Sequence, residues 1–166
     1  QGGCASRPGN SYQALISRRF NIDYFNFGFS GNALGEKTMA DYIAALPMSL
    51  FFLDFDHNSP NAEHLKAHHE SFFLNIREKT PDLPVIMATK TDIPRSPAAE
   101  KSNAAHRAVV YETYENAVKR GDRNVIFIDG ATVFSKALTL SAPADSCTVD
   151  GCHPNDLGFA CMAKVF

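Results

Sequence analysis

The chain has 166 residues, a length typical of one domain and sufficient to bury a hydrophobic core. Hydrophobic residues make up 45% of the sequence and charged residues 20%, a balance that excludes an intrinsically disordered chain. The net charge is −2, and residues of both signs are scattered along the chain, which argues against a nucleic-acid partner. No apolar run approaches the ~20 residues of a membrane span.

Four short apolar runs predict buried β-strands. Each run is rich in branched or aromatic residues and ends near Gly, Asp or Thr. In chain order they are DYFNFGF from Asp23, SLFFLDF from Ser49, PVIMAT from Pro84 and NVIFID from Asn124.

Helical patterns lie between and around these runs, at residues 11–20, 36–46, 61–80 and 98–121. In the third pattern Asn61 is a plausible N-cap, and the fourth ends on Gly121 after two basic residues. A final helix is expected from Pro154 to the end of the chain. One apolar stripe of the third helix is formed by Leu65, Phe72, Phe73 and Ile76.

This alternation of strands and helices predicts a single α/β domain over residues 1–166. A parallel sheet would be covered by helices on both faces, in three layers. Ligands of such sheets bind beyond the carboxyl ends of the strands. A functional site is therefore expected near residues 28–32, 54–58, 89–92 and 129–132.

The segments after the first two predicted strands contain candidate hydrogen-bond donors. NFGFSGN (26–32) is either a tight turn or a segment whose backbone N–H at Gly31 contacts a developing negative charge. In DFDHNSPN (54–61), Asn58 either begins a turn before Pro60 or donates its amide to the same anion site as Gly31.

The segment DGCHPNDLG (150–158) also has two interpretations. Pro154 and Asp156 suit the start of a helix, so the segment could be a loop leading into one. Asp150 and His153 have the residue types of an acid–imidazole relay. In such a relay a carboxylate binds one ring nitrogen and the other nitrogen takes a proton from a nucleophile.

The order of these three segments resembles the SGNH hydrolases, the GDSL-type esterases and lipases. In that family four sequence blocks supply Ser, Gly, Asn and His, with an Asp three residues before the His. FSGN matches the Gly block at Gly31, Asn58 matches the Asn block, and Asp150 and His153 match the last block. The continuation HPNDLG is the most specific part of the match. The resemblance spans essentially the whole chain and implies a flavodoxin-like three-layer α/β/α fold.

The resemblance also implies an activity, the hydrolysis of an ester through an acyl-enzyme without any cofactor. His153 would act as base and then as acid, Asp150 would orient it, and Gly31 and Asn58 would bind the oxyanion. The chain has no long apolar lid, so the expected substrate is a small molecule or carbohydrate that carries a short acyl group such as acetyl. The family also favours a secreted or periplasmic location, and the oligomeric state stays open.

Two features depart from the family pattern. The Asn block usually reads Gly-x-Asn-Asp, whereas here it reads DFDHNS. The nucleophilic serine is also missing, because QGG resembles only the tail of a first block that reads G-x-S-x-T-x-G. We therefore expect the serine before Gln1, since the context does not fit at Ser6, Ser11 or Ser30.

From this we expect the chain to be a fragment, truncated at its N-terminus and at its C-terminus. The family's first strand, which leads to the serine, lies inside the sheet. The strands from Asp23 and Ser49 would then flank its position, and residues 1–166 alone should be molten and inert, because buried backbone groups would be unpaired.

A second enzyme class also matches part of the sequence. LFFLDFDHN resembles the first motif of haloacid-dehalogenase-type phosphatases, with Asp54 as nucleophile, Asp56 as acid/base, Thr89 as a phosphate ligand and Mg²⁺ as cofactor. The usual Gly-x-Thr after the second Asp is absent, and FIDGAT offers only Asp129 for the late acidic pair.

Histidines and cysteines leave further alternatives open. A metal site is suggested by His57, His64, His68 and His69, but no carboxylate or cysteine completes it at a recognised spacing, so solvated histidines are favoured. A catalytically inactive binding domain is the third functional class. The disulfide state of Cys4, Cys147, Cys152 and Cys161 also stays open, because Cys147 and Cys152 could close a small loop beside His153 or be free thiols.

Overall fold

The computed structural model describes residues 2–138 and 143–166. Contacts divide this chain into two units: the described parts of 1–30, 91–100 and 129–166 form the first, and residues 31–90 and 101–128 the second. The described strands are β1 (Phe51–Leu53), β2 (Val85–Ala88) and β3 (Val125–Ile128). The described helices are α1 (Tyr12–Phe20), α2 (Lys37–Ala44), α3 (Ala62–Lys79), α4 (Pro97–Lys119), α5 (Val133–Ala137) and α6 (Asp156–Val165).

The second unit contains a parallel sheet in the order β1-β2-β3. The central strand β2 aligns Val85 with Phe51 on one side and with Val125 on the other. Val85 and Met87 are buried, as expected for a strand that reads as a continuous apolar run. The predicted α/β class with a parallel sheet is confirmed, as are three of the four predicted strands.

Helix α3 shows how the sequence determines its local structure. The Asn61 side chain accepts a hydrogen bond of 2.7 Å from the backbone N–H of His64, which confirms the predicted N-cap. The four residues of the predicted stripe are buried, and Leu65 and Ile76 are both 0% exposed. This stripe contributes to the core of the second unit, where α3 also packs against α2.

The predicted strand from Asp23 does not form. Residues 23–29 have no regular secondary structure, and Phe25 remains 70% exposed. A strand needs the backbone of a neighbouring strand, and no described strand pairs with these residues. Apolar composition alone therefore gave the wrong secondary structure here.

The first unit is built around α6. This helix packs against α1 and α5 and buries Phe159 and Met162. Gly158 lies so close to the preceding loop that a Cβ there would be 2.1 Å from the carbonyl oxygen of Cys147. Only glycine allows this approach, so α6 can lie directly against the loop that precedes it and contains the predicted relay.

The cysteines are all unpaired thiols. The Sγ atom of Cys147 lies 3.9 Å from that of Cys161, and Cys147 forms no disulfide with Cys152. Burial raises the pKa of Cys147 to about 12, so its thiol stays protonated at neutral pH.

None of the described helices is long and apolar enough to cross a membrane.

Candidate active site

Asp150 and His153 form a direct hydrogen-bonded pair in the first unit. The Nδ1 atom of His153 lies 2.6 Å from Oδ2 of Asp150. The second carboxylate oxygen accepts the backbone N–H groups of Cys152 and His153, both at 2.8 Å. The backbone N–H groups of the turn therefore fix the carboxylate. The carboxylate then fixes the orientation of the imidazole ring.

The same contacts keep Asp150 ionised. The backbone N–H and then the side chain of His153, followed by the backbone N–H of Cys152, hold the pKa of Asp150 well below its usual range. The side chain of His153 is 61% exposed, and its Nε2 atom makes no hydrogen bond to any residue of the described ranges. The pair thus consists of a fixed carboxylate and an imidazole whose outer nitrogen is accessible.

Glycine allows the turn that holds this pair. Gly151 has a φ of +90°, a conformation that other residues rarely adopt. Its N–H donates to the hydroxyl of Thr148 at 2.9 Å, and its carbonyl accepts the N–H of Ile93 at 2.8 Å. These bonds anchor the turn on both sides, so the backbone sets the geometry of the Asp150–His153 pair.

The segment after His153 starts a helix, as its sequence indicated. Asn155 is the N-cap and accepts the N–H of Gly158 at 3.1 Å, so α6 begins at Asp156 and not at Pro154. Asp156 accepts two hydrogen bonds from Ser6, at 2.8 and 2.5 Å, and one of 2.8 Å from Asn10. The loop-to-helix interpretation and the relay interpretation are therefore compatible, because they concern different residues.

Asn58 follows β1 in the second unit, at the end of a single helical turn over Asp56–Asn58. Its backbone N–H donates to the carbonyl of Phe55 at 3.0 Å. Asp56 is 3% exposed, and its Oδ2 accepts the N–H of Lys90 at 3.0 Å. This contact joins the loop after β1 to the loop after β2, so Asn58 lies on an anchored loop beyond the carboxyl ends of the strands.

Gly31, the other predicted oxyanion donor, lies in an exposed turn of the same unit. Its φ of +68° explains the glycine, and apart from its two chain neighbours no described residue has a heavy atom within 4 Å of the position that a Cβ would occupy. The open space is compatible with the close approach of a ligand. The structure thus brings Asp150 and His153 together within one unit, and places Gly31 and Asn58 within the other. That all four residues act on one substrate stays a prediction.

The sequence did not distinguish His69 from the other histidines of α3. Its ring is fully buried, with Nδ1 2.9 Å from the hydroxyl of Thr113 and Nε2 without a described partner. Burial lowers the pKa of His69 to about 4. The rings of His64 and His68 stack at 4.1 Å, and no group of three or more candidate ligands among the described residues could hold a metal ion.

His69 predicts an acid-sensitive fold. Its pKa falls from 6.5 to about 4 on folding, so between these values the unfolded chain binds more protons than the folded one. The free energy of unfolding should therefore decrease as the pH falls through this window, by up to ~3 kcal/mol. We expect His69→Leu to flatten this part of the pH dependence in urea unfolding of the full-length protein. His106→Gln, at a partly exposed histidine, should keep the wild-type slope, and an equally steep slope in His69→Leu would contradict the assignment.

Comparison with protein families gives one match over the whole chain. Residues 1–166 match the model of the GDSL-like lipase/acylhydrolase family. No match is found among curated proteins.

Solved structures with a similar fold include several esterases and an acyltransferase. A protein described as a GDSL-like lipase from Bacteroides ovatus is 30% identical, with a TM-score of 0.82 over 97% of this chain and 46% of that one. A salicylyl-acyltransferase from a tetracycline biosynthetic pathway is 24% identical, with a TM-score of 0.80 over 98% of this chain and 49% of that one. An acetyl-xylooligosaccharide esterase from Geobacillus is 16% identical, with a TM-score of 0.70 over 94% of this chain and 78% of that one. The chain therefore spans about half the length of the first two.

Proposed function

Because the chain belongs to the GDSL-like lipase/acylhydrolase family, we propose that the complete protein is a serine esterase that cleaves a short-chain ester through an acyl-enzyme. The observation that carries this proposal is the 2.6 Å contact between Asp150 and His153, with the outer nitrogen of the ring left accessible. A carboxylate–imidazole pair of this geometry is suited to activate a hydroxyl nucleophile.

In the proposed mechanism, the serine of the first sequence block attacks the ester carbonyl. His153 takes the serine proton on Nε2 and gives it to the leaving alcohol, while Asp150 stabilises the imidazolium that forms between these steps. The N–H of Gly31 and the side-chain amide of Asn58 donate hydrogen bonds to the negatively charged oxygen of the tetrahedral intermediate. A water molecule then repeats the sequence on the acyl-enzyme, which releases the acid and restores the serine.

For the substrate, we propose an acetyl-like acyl group on a carbohydrate or another small alcohol. The chain has no long apolar segment that could cover a lipid chain. The fold is also similar to that of an acetyl-xylooligosaccharide esterase, although at 16% identity this is a likeness of fold.

The phosphatase alternative has little support from the structure. Its proposed acid/base, Asp56, is 3% exposed and holds the N–H of Lys90, so it anchors a loop. A buried carboxylate in that role is poorly placed to exchange a proton with a substrate.

The two enzyme classes can be separated with the full-length protein. We expect 4-nitrophenyl acetate to be hydrolysed at the same rate with and without EDTA, and 4-nitrophenyl phosphate to be turned over negligibly. The physical reason is that a serine relay needs no metal, whereas the phosphatase chemistry requires Mg²⁺. Magnesium-dependent release of phosphate that disappears in Asp54→Asn would instead establish the phosphatase.

A further inference from the structure

Arg95 lies directly against the turn that connects Asp150 to His153. The Nε, Cδ and Cγ atoms of Arg95 lie 2.5, 2.9 and 3.0 Å from the position that a Cβ of Gly151 would occupy. The side chain of Arg95 therefore occupies space beside Gly151 that any other residue at position 151 would fill. Because Gly151 has no side chain, it can adopt its positive φ and leaves room for Arg95.

The backbone around Arg95 is also fixed. Two residues earlier, the N–H of Ile93 donates to the carbonyl of Gly151 at 2.8 Å. Pro94 precedes Arg95, and one residue after it the hydroxyl of Ser96 accepts the N–H of Ala99 at 3.2 Å in the first turn of α4. The backbone next to Arg95 is thus bonded to the turn at Gly151, and the Arg95 side chain lies beside the same turn.

The charge of Arg95 is not used within the described parts of the chain. Its side chain is exposed and makes no hydrogen bond or ion pair with any of their residues. The carboxylate of Asp150, in the same turn as Gly151, binds His153 and the N–H of Cys152 instead. Arg95 therefore presents a pre-positioned guanidinium, whose planar set of donors matches a carboxylate.

From these contacts we propose that Arg95 is a specificity-determining residue, which binds a carboxylate of the substrate beside the ester that His153 helps to cleave. This inference rests on the proposed esterase function and narrows its substrate class to anionic esters. Binding of the carboxylate adds charge-assisted hydrogen bonds that a neutral ester cannot make.

The test compares charged and neutral esters of matched size in the full-length protein. One pair is 4-acetoxybenzoate and its methyl ester, with the charge on the alcohol side. The other pair is phenyl hydrogen adipate and phenyl hexanoate, with the charge on the acyl side. The measured quantity is the ratio of kcat/KM for the charged ester to that for the neutral ester within each pair.

For one of the two pairs we expect Arg95→Gln to lower this ratio by ~10- to 100-fold, the usual effect of losing a hydrogen bond to a charged group. Arg95→Lys should restore part of it, and high salt should lower the wild-type ratio. The matched control is Arg123→Gln, at another exposed arginine, which should keep the wild-type ratio. An unchanged ratio for both pairs in Arg95→Gln would overturn the assignment of Arg95. Failure of the wild type to hydrolyse any of the four esters would overturn the esterase proposal itself.

Discussion

His153→Ala should almost abolish the hydrolysis of a short-chain aryl ester by the full-length protein, and Asp150→Asn should lower turnover by up to ~10⁴-fold. The first change removes the imidazole that accepts the nucleophile's proton in the proposed mechanism. The second replaces an acceptor 2.6 Å from Nδ1 of His153 by an amide, which can donate to that nitrogen and favour the wrong tautomer. The smaller loss expected for Asp150→Asn reflects a base that is misoriented but still present.

The measurement is the steady-state turnover of 4-nitrophenyl acetate, with thermal unfolding as a check on the fold. The turn should persist in His153→Ala, because Asp150 accepts backbone N–H groups that this variant retains. His64→Ala is the matched control, at a histidine outside the proposed mechanism, and should keep turnover near the wild-type value. If the His153→Ala enzyme remains active, the assignment of the Asp150–His153 relay is wrong.

Local patterns predicted those parts of the fold that depend on a single segment. The α3 stripe and its Asn61 cap follow from helical spacing and from one side-chain hydrogen bond, and both are present. Residues 23–29 failed as a strand because strand formation also depends on a partner's backbone, which the segment itself does not specify. Helix α5 was missed because its five residues are too few to show a period.

The same distinction applies to the candidate site. Asp150 and His153 could be recognised because they lie in one short turn, where sequence spacing largely determines the distance between their side chains. His69 and Arg95 could not, because their environments are created by Thr113 and Gly151, each more than forty positions away in the chain. A buried histidine and a packed arginine look like surface residues until those distant neighbours are known.

Asn58→Ala is the variant with the second-largest expected effect, a loss of ~10²–10³-fold in turnover. The amide of Asn58 is proposed to stabilise the negative oxygen of the tetrahedral intermediate. Loss of this donor would therefore raise the free energy of the transition state more than that of the bound substrate. Folding should change little, because the local turn is closed by the backbone N–H of Asn58 and the loop is anchored by Asp56. We therefore expect kcat to fall with little change in KM or in the unfolding midpoint.

Asn61→Ala provides the matched comparison, three residues further along. It removes the cap of α3 and should cost ~1 kcal/mol in stability while leaving turnover close to wild type. The two variants thus separate the proposed role of Asn58 in catalysis from the structural role of Asn61. If Asn58→Ala keeps full turnover and Asp56→Ala abolishes it, the alignment of this loop with the family's Asn block is wrong. The oxyanion donor must then be sought elsewhere, because Asp56 acts on the loop through the N–H of Lys90 and offers a carboxylate, which cannot donate to an oxyanion when ionised.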